Sequence, residues 1–202
     1  MLDDAHQHRK VKACFYLLLT TYNDLFYADF MLPTGNLRET KNGAKRANII
    51  IVTKCPENLS ENEQLVIKSK INLQIPVFFS SIDYDTKIYS NNKTLDLKEI
   101  ENSEKIIIAG IANPKPFFNY LKNNNDQIIT FPDHHHFTEN DIQNIKNQSN
   151  NKIIITTEKD YVRLKNSKID NLFYLPIKSK IIKDETNFNQ KILNYVESSS
   201  RN

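Results

Sequence analysis

Residues 106–121 read IIIAGIANPKPFFNYL. A short apolar run, a glycine, an Asn-Pro step and then Phe117, Phe118 and Leu121 at helical spacing describe a buried strand that turns directly into a helix, with Asn113 as N-cap and Pro114 at the first helical position. The same unit recurs outward in both directions. Apolar runs at residues 14–19, 49–52, 77–79, 127–131 and 153–155, rich in Ile, Val and Phe, read as further buried strands. Helix-like segments separate them, as in parallel sheets linked by crossover helices. Ser60 with Glu63 forms a capping-box signature ahead of Leu65, Val66 and Ile67, and Thr138 with Asp141 marks another helix start. A last helix fits Phe188, Ile192 and Val196. The fold class is α/β.

Between about Asp83 and Ser103 the sequence turns polar, with Tyr84, Ile88, Tyr89, Leu95 and Leu97 set among charges, which predicts a hairpin-like linker. The expected division is residues 1–83, a linker over 84–103, and a C-terminal α/β domain over 104–202. The 202 residues suit one large or two small domains, burying roughly 70% of the unfolded surface. Lys and Arg total 27 against 24 Asp and Glu, so the net charge of +3 leaves no footprint for nucleic acid. Two cysteines, Cys14 and Cys55, cannot build a disulfide framework or a four-cysteine zinc site, which suits a reducing cytosol. No apolar stretch approaches the ~18 residues needed to span a bilayer, so the chain is expected to be soluble or peripheral. Only three glycines occur, Gly35, Gly43 and Gly110, and they are scattered. A phosphate loop needs clustered glycines whose N–H groups wrap the phosphates, and the 202 residues contain none.

Chemistry concentrates in a few segments. Asp3, Asp4, His6, Gln7, His8 and Arg9 crowd the first ten residues. An acidic pair beyond a strand end is where an α/β nucleotide enzyme holds Mg²⁺ or orients a base. In FPDHHHFT, residues 131–138, Asp133 precedes His134, His135 and His136 between a strand and a helix. Neighbours in an irregular turn point different ways, so one imidazole can act as a base or metal ligand while Asp133 orients another. In LPTGNLRE, residues 32–39, Arg38 can grip a phosphate, while Glu39 can reach a metal or pair with Arg38. TTEKDYVRL, residues 156–164, follows a strand with Thr157, Glu158, Lys159 and Asp160, polar groups open to a nucleotide or to ordinary N-capping. VTKCP likewise ends a strand with Thr53 and Lys54.

Taken together, LDDAHQHR, LPTGNLRE, ANIIIVTKCP, GIANPKPFF, FPDHHHFT and TTEKDYVRL resemble, in order, the segments of the tetraacyldisaccharide 4′-kinase family, from Leu2 to at least Leu164. The resemblance implies a P-loop-kinase-like parallel sheet with a smaller C-terminal α/β lobe. It implies transfer of the γ-phosphate of ATP, with Mg²⁺, to the 4′-hydroxyl of a tetraacyldisaccharide 1-phosphate during lipid A synthesis at the cytoplasmic face of the inner membrane. Carried over by motif, Asp3 and Asp4 supply the Mg²⁺ contact and the carboxylate of a carboxylate–histidine dyad, completed by a histidine of Asp133-His134-His135. Arg38 and Glu39 match an Arg-Glu pair near the phosphates and metal, and Gln7, His8 and Arg9 fit substrate-phosphate contacts. His6 stands where the family has an aromatic apolar residue. The family's phosphate loop belongs upstream and is not among these residues, so the chain alone is expected to transfer little or no phosphate, with a missing N-terminal segment as the partner that would complete it.

Two rival readings remain at this stage. Asp133-His134-His135 also resembles the DHH phosphoesterases, which hydrolyse phosphate esters with Mn²⁺, with Asp83 and Asp85 as the nearest candidate partners. The other is a remnant or half-enzyme without activity of its own.

Overall fold

The computed structural model describes residues 2, 4–6, 8, 10 and 13–199. The chain divides into two compact units, one of Met1–Asp83 with Ser179–Asn202 and one of Tyr84–Lys178. In the first, β1 (Leu17–Thr21), β2 (Ile49–Thr53) and β3 (Val77–Tyr84) pair in parallel, with Leu17 opposite Ile49 and Ile50 opposite Val77. The apolar run of β2 is buried on both faces, and the two-residue period of a strand sorts it. Ile50 and Val52 pack with Leu59, Phe79 and with Ile67 and Ile71 of α1 (Glu61–Ile71). Ile49 and Ile51 pack on the other face with Phe78 and Phe15. Helix α1 starts where the sequence says it should: Ser60 Oγ accepts the Glu63 N–H at 3.3 Å, and Glu63 Oε2 accepts the Ser60 N–H at 2.9 Å.

The second unit contains β4 (Lys87–Tyr89), β5 (Thr94–Asp96), β6 (Lys105–Ala109), β7 (Gln127–Thr130), β8 (Ile153–Thr157) and β9 (Leu172–Leu175), in the sheet order β5-β4-β9-β8-β6-β7. Strands β6 to β9 are parallel, while β4 runs antiparallel to β5 and β9. Helices α2 (Lys115–Leu121), α3 (Glu139–Ser149) and α4 (Glu158–Leu164) each follow a strand. Every residue of β6 is buried. Ile107 and Ala109 meet Phe117, Phe118 and Leu121 of α2, whereas Ile106 and Ile108 meet Ile145 of α3 and Tyr161 and Leu164 of α4.

The chain then returns to the first unit. Strand β10 (Ile177–Ile181) lies beside β3, and α5 (Glu185–Ser199) lays Phe188 and Ile192 on Ile49, Ile51 and Phe78. Several expectations change. The polar stretch after Asp83 is a hairpin, but it forms the edge of the second sheet instead of a separate linker, because β4 pairs with β9 through Tyr89 and Tyr174. The C-terminal part does not run from residue 104 to 202: residues from Ser179 onward belong with the first unit. The strand expected at 14–19 begins at Leu17, and Cys14 is exposed. The strand expected as buried at 127–131 is the edge strand β7, whose residues are mostly exposed. Among the described residues no helix is long and apolar enough to cross a membrane.

Two-sided burial sets the energetic ranking of these strands. Truncating Ile107 to Ala, at a fully buried position, is expected to cost about 2–5 kcal/mol in urea unfolding. The same change at Ile128 on the edge strand, 39% exposed, should cost well under half of that.

Candidate active site

Two groups of polar side chains, one in each unit, contain the candidate residues. In the first unit the expected Arg38–Glu39 pairing does not form, because the two residues lie in a bend and each bonds a partner elsewhere in the unit. Arg38 Nη1 instead donates to Asp4 Oδ2 at 2.8 Å, reaching back across 34 residues. Glu39 Oε1 accepts from Arg46 Nη2 at 2.6 Å, and the same Arg46 nitrogen donates to the His6 carbonyl at 2.7 Å. The His6 ring donates from Nε2 to the Gly43 carbonyl at 3.2 Å and lies 3.6 Å from Glu39 Oε1, with its plane perpendicular to the Tyr16 ring. Gly43 has to be glycine here, since a Cβ would lie 2.5 Å from Glu39 Cδ. Arg46 was not singled out in the sequence, where nothing but its charge distinguishes it. It fixes Glu39 and the N-terminal segment together. Asp4 itself sits in the left-handed region, φ 48. His8 is exposed in a turn closed by its N–H to the Ala5 carbonyl. Asp3, Gln7 and Arg9 lie outside the described residues.

In the second unit the turn after β7 separates the three histidines. His134 is also left-handed, φ 59, and its N–H is taken by Asp133 Oδ1 at 2.9 Å, so the aspartate caps the turn that exposes the ring. The imidazole is 70% exposed. Lys159 Nζ lies 3.3 Å from both Asp133 Oδ1 and His134 Nε2, and Arg163 Nη2 lies 3.5 Å from His134 Nδ1. Partial desolvation pushes the Asp133 carboxyl up, but the Lys159 hydrogen bond and the charges of His134 and Lys159 outweigh it and hold the group below the ordinary carboxylate range.

His135 has a different task. Its Nε2 bonds Asp141 Oδ2 at 3.0 Å, and its ring stacks on Phe131 and meets Phe137 edge-on. Asp141 closes the capping box of α3, and hydrogen bonds from the Thr138 backbone and hydroxyl and then from His135 lower its carboxyl to about 2. His135 is therefore part of the helix start, and His136 is exposed.

Of Thr157, Glu158, Lys159 and Asp160, only Lys159 reaches the histidine turn. Thr157 caps α4, accepting the Asp160 N–H at 3.1 Å and donating its hydroxyl to Asp160 Oδ2 at 2.8 Å. Asp160 is fully buried and also accepts the Gly110 N–H at 2.8 Å. Ordinary capping thus accounts for Thr157 and Asp160, while Glu158 is exposed. At the end of β2, Lys54 is left-handed, and Cys55 is buried with its thiol raised to about 11, which makes it a poor nucleophile. Among the described residues no three His, Cys, Asp or Glu side chains converge on a metal-sized point. Asp85, offered as a partner for a manganese hydrolase, accepts the Lys87 N–H and pairs with Lys178 at 3.4 Å.

The stability assigned to Asp141 can be tested by pH. Its carboxyl titrates near 2 in the folded chain against 3.8 ordinarily, so its contribution is complete above about pH 4 and disappears as the pH falls toward 2. Denaturant unfolding of Asp141→Asn should show its full deficit against the parent at neutral pH, and the deficit should close as pH 2 is approached.

Residues 1–197 match the family model described as tetraacyldisaccharide-1-P 4′-kinase. Proteins named tetraacyldisaccharide 4′-kinase from Flavobacterium johnsoniae and Flavobacterium psychrophilum are 57% and 58% identical over 98% and 100% of this chain. One from Bacteroides thetaiotaomicron is 38% identical. The chain spans 59% and 60% of the length of the two Flavobacterium relatives. A crystal structure of LpxK from Aquifex aeolicus in complex with ATP is similar over 96% of this chain and 56% of its own, with a TM-score of 0.66 and 25% identity.

Proposed function

Because the chain belongs to the tetraacyldisaccharide-1-P 4′-kinase family, we propose that it serves transfer of the γ-phosphoryl group of ATP to the 4′-hydroxyl of tetraacyldisaccharide 1-phosphate, at the cytoplasmic face of the inner membrane. The observation that carries this reading is the sorting of the histidines. His135 is consumed by Asp141 and two aromatic rings, whereas His134 is presented to solvent on a left-handed turn with Asp133 and Lys159 against it.

Phosphoryl transfer asks a protein mainly for positioning and charge neutralisation. In this reading His134 takes the proton from the attacking hydroxyl as its oxygen bonds to the γ-phosphorus and the bond to the β,γ-bridging oxygen breaks, releasing ADP. Lys159 is bonded to Asp133 and stands 3.3 Å from His134 Nε2, where its charge can meet the transferred phosphoryl group as the ring takes up the proton, so the nucleotide role considered for Thr157, Glu158, Lys159 and Asp160 narrows to Lys159. Asp3 and Asp4 carry the carboxylate roles that the family resemblance gives them, and Arg38 with His8, Gln7 and Arg9 contacts substrate phosphate. Mg²⁺ takes one or two carboxylates together with phosphate oxygens, and the hard oxygens of Asp4 and Glu39 fit that chemistry. When bound, the ion neutralises charge on the transferred group.

The 202 residues hold no clustered glycines, so this reading places the phosphate-wrapping loop outside them. Assay of label transfer from γ-labelled ATP to the disaccharide lipid tests both parts. The chain alone should transfer at background, and the chain supplied with the glycine-rich segment of a family relative should transfer measurably. In the active form, His134→Ala should lower kcat about 10²–10⁴-fold. His135→Ala should mainly lower the melting temperature. Transfer by the chain alone, or an indifferent His134→Ala, would contradict the proposal.

A further inference from the structure

Three consecutive large apolar side chains, Phe30, Met31 and Leu32, are 66%, 46% and 61% exposed at the tip of one loop in the first unit. A floppy loop would fold such residues back, but this one is built. Asp29 caps it at both ends, its two carboxylate oxygens accepting the N–H groups of Phe30 and Asn36 at 2.7 and 3.0 Å. Two backbone bonds close it, the Leu32 N–H to the Leu37 carbonyl and the Leu37 N–H to the Phe30 carbonyl, both 3.0 Å. Thr34 and Gly35 both donate to the Met31 carbonyl. Gly35 admits no side chain, since a Cβ would collide with Asp29 Oδ1 and the Phe30 carbonyl. Six amide groups are therefore satisfied within the loop, and three apolar side chains are directed outward.

That combination suits one environment. Backbone entering the boundary of a bilayer must have its polar groups already bonded, and apolar tips gain by leaving water. Lys41 stands at the base of the loop with its Nζ 5.7 Å from the centre of the Phe30 ring and bonded to the Tyr27 carbonyl, the arrangement of a cation held at headgroup depth. The nearby acids are already matched, Asp29 by loop amides, Asp4 by Arg38 and Glu39 by Arg46, which leaves Lys41 and the exposed Lys45 for an anionic surface. Three side chains at a turn fall far short of the ~800 Å² per partner of a stable protein interface.

We propose that the Phe30-Met31-Leu32 loop is a rigid wedge that inserts into the interface of a bilayer containing anionic lipid. Its return leg carries Arg38, so insertion brings the Arg38–Asp4 pair to the level of lipid headgroups, the place where the proposed reading needs a phosphate-bearing lipid to be met. The inference rests on that reading for its purpose alone.

The chain contains no tryptophan, so a single Trp reports on its own site. Phe30→Trp should shift its emission to the blue when vesicles of phosphatidylethanolamine and phosphatidylglycerol are added, while Leu65→Trp, at an equally exposed position on α1, should not. In co-sedimentation, Phe30→Ser with Leu32→Ser should weaken vesicle binding at least tenfold with the circular dichroism and melting temperature of the parent retained. An unmoved Phe30→Trp emission, one already blue before vesicles are added (a wedge covered by a second copy), or parental sedimentation of the double variant overturns the proposal. Neither measurement needs ATP or the disaccharide. Failure here leaves the proposed transfer standing, and loss of transfer with vesicle binding intact would do the reverse.

Discussion

A buried carboxylate organises the second unit. Asp160 has no exposed surface, and a charge in that position is tolerable only if it is fully engaged. It accepts the Gly110 N–H at the end of β6 and the Thr157 hydroxyl at the end of β8, with Arg163 3.5 Å away. The same residue lies in the first turn of α4, so two strand ends and a helix start are tied to one side chain. Gly110 lets the Pro132 carbonyl approach, since a Cβ there would stand 3.3 Å from it and 3.2 Å from Asp160 Oδ1. The turn that holds the histidines is thereby set against β6. With α4 fixed, Lys159 and Arg163 project one helical turn apart onto the two ring nitrogens of His134.

The first unit solves a comparable problem with exposed and half-buried groups. The described residues of the N-terminal segment before Leu17 form no strand. Arg38 on Asp4 and Arg46 on both Glu39 and the His6 carbonyl hold it across some 34 to 40 residues. The Arg38–Asp4 pair is exposed and worth about 0–1 kcal/mol, so it orients Asp4 more than it stabilises the fold, whereas the Arg46–Glu39 pair is half-buried. His6, at the position where the family resemblance places an aromatic apolar residue, joins this network through Gly43 and also meets the Tyr16 ring.

Local signals in the sequence were the reliable ones. Both capping boxes, Ser60 with Glu63 and Thr138 with Asp141, form as read, because each needs only four consecutive residues. Central strands were legible from unbroken apolar runs, as in Ile49 to Val52 and Ile106 to Ala109. Edges were not. Strand β10 reads IKSKI, whose lysines suit an exposed edge and resemble a loop, and its place beside β3 rests on contacts nearly a hundred residues apart in sequence. The partners of Arg38 and Glu39 were hidden for the same reason. Adjacency in sequence suggested that the two would pair, while the backbone turned them toward acids and cations far along the chain. The crowding of three histidines drew attention to this turn, but only the packing of Phe131, Phe137 and Asp141 around one ring distinguishes His135 from His134.

The proposed task of these side chains is phosphoryl transfer to a sugar hydroxyl. Phosphorus NMR of the product, formed from ATP and tetraacyldisaccharide 1-phosphate by the chain completed with a family phosphate loop, addresses it most directly. The account predicts a second phosphomonoester on the disaccharide, at the 4′ position, in step with ADP. Inorganic phosphate with an unchanged disaccharide would contradict it.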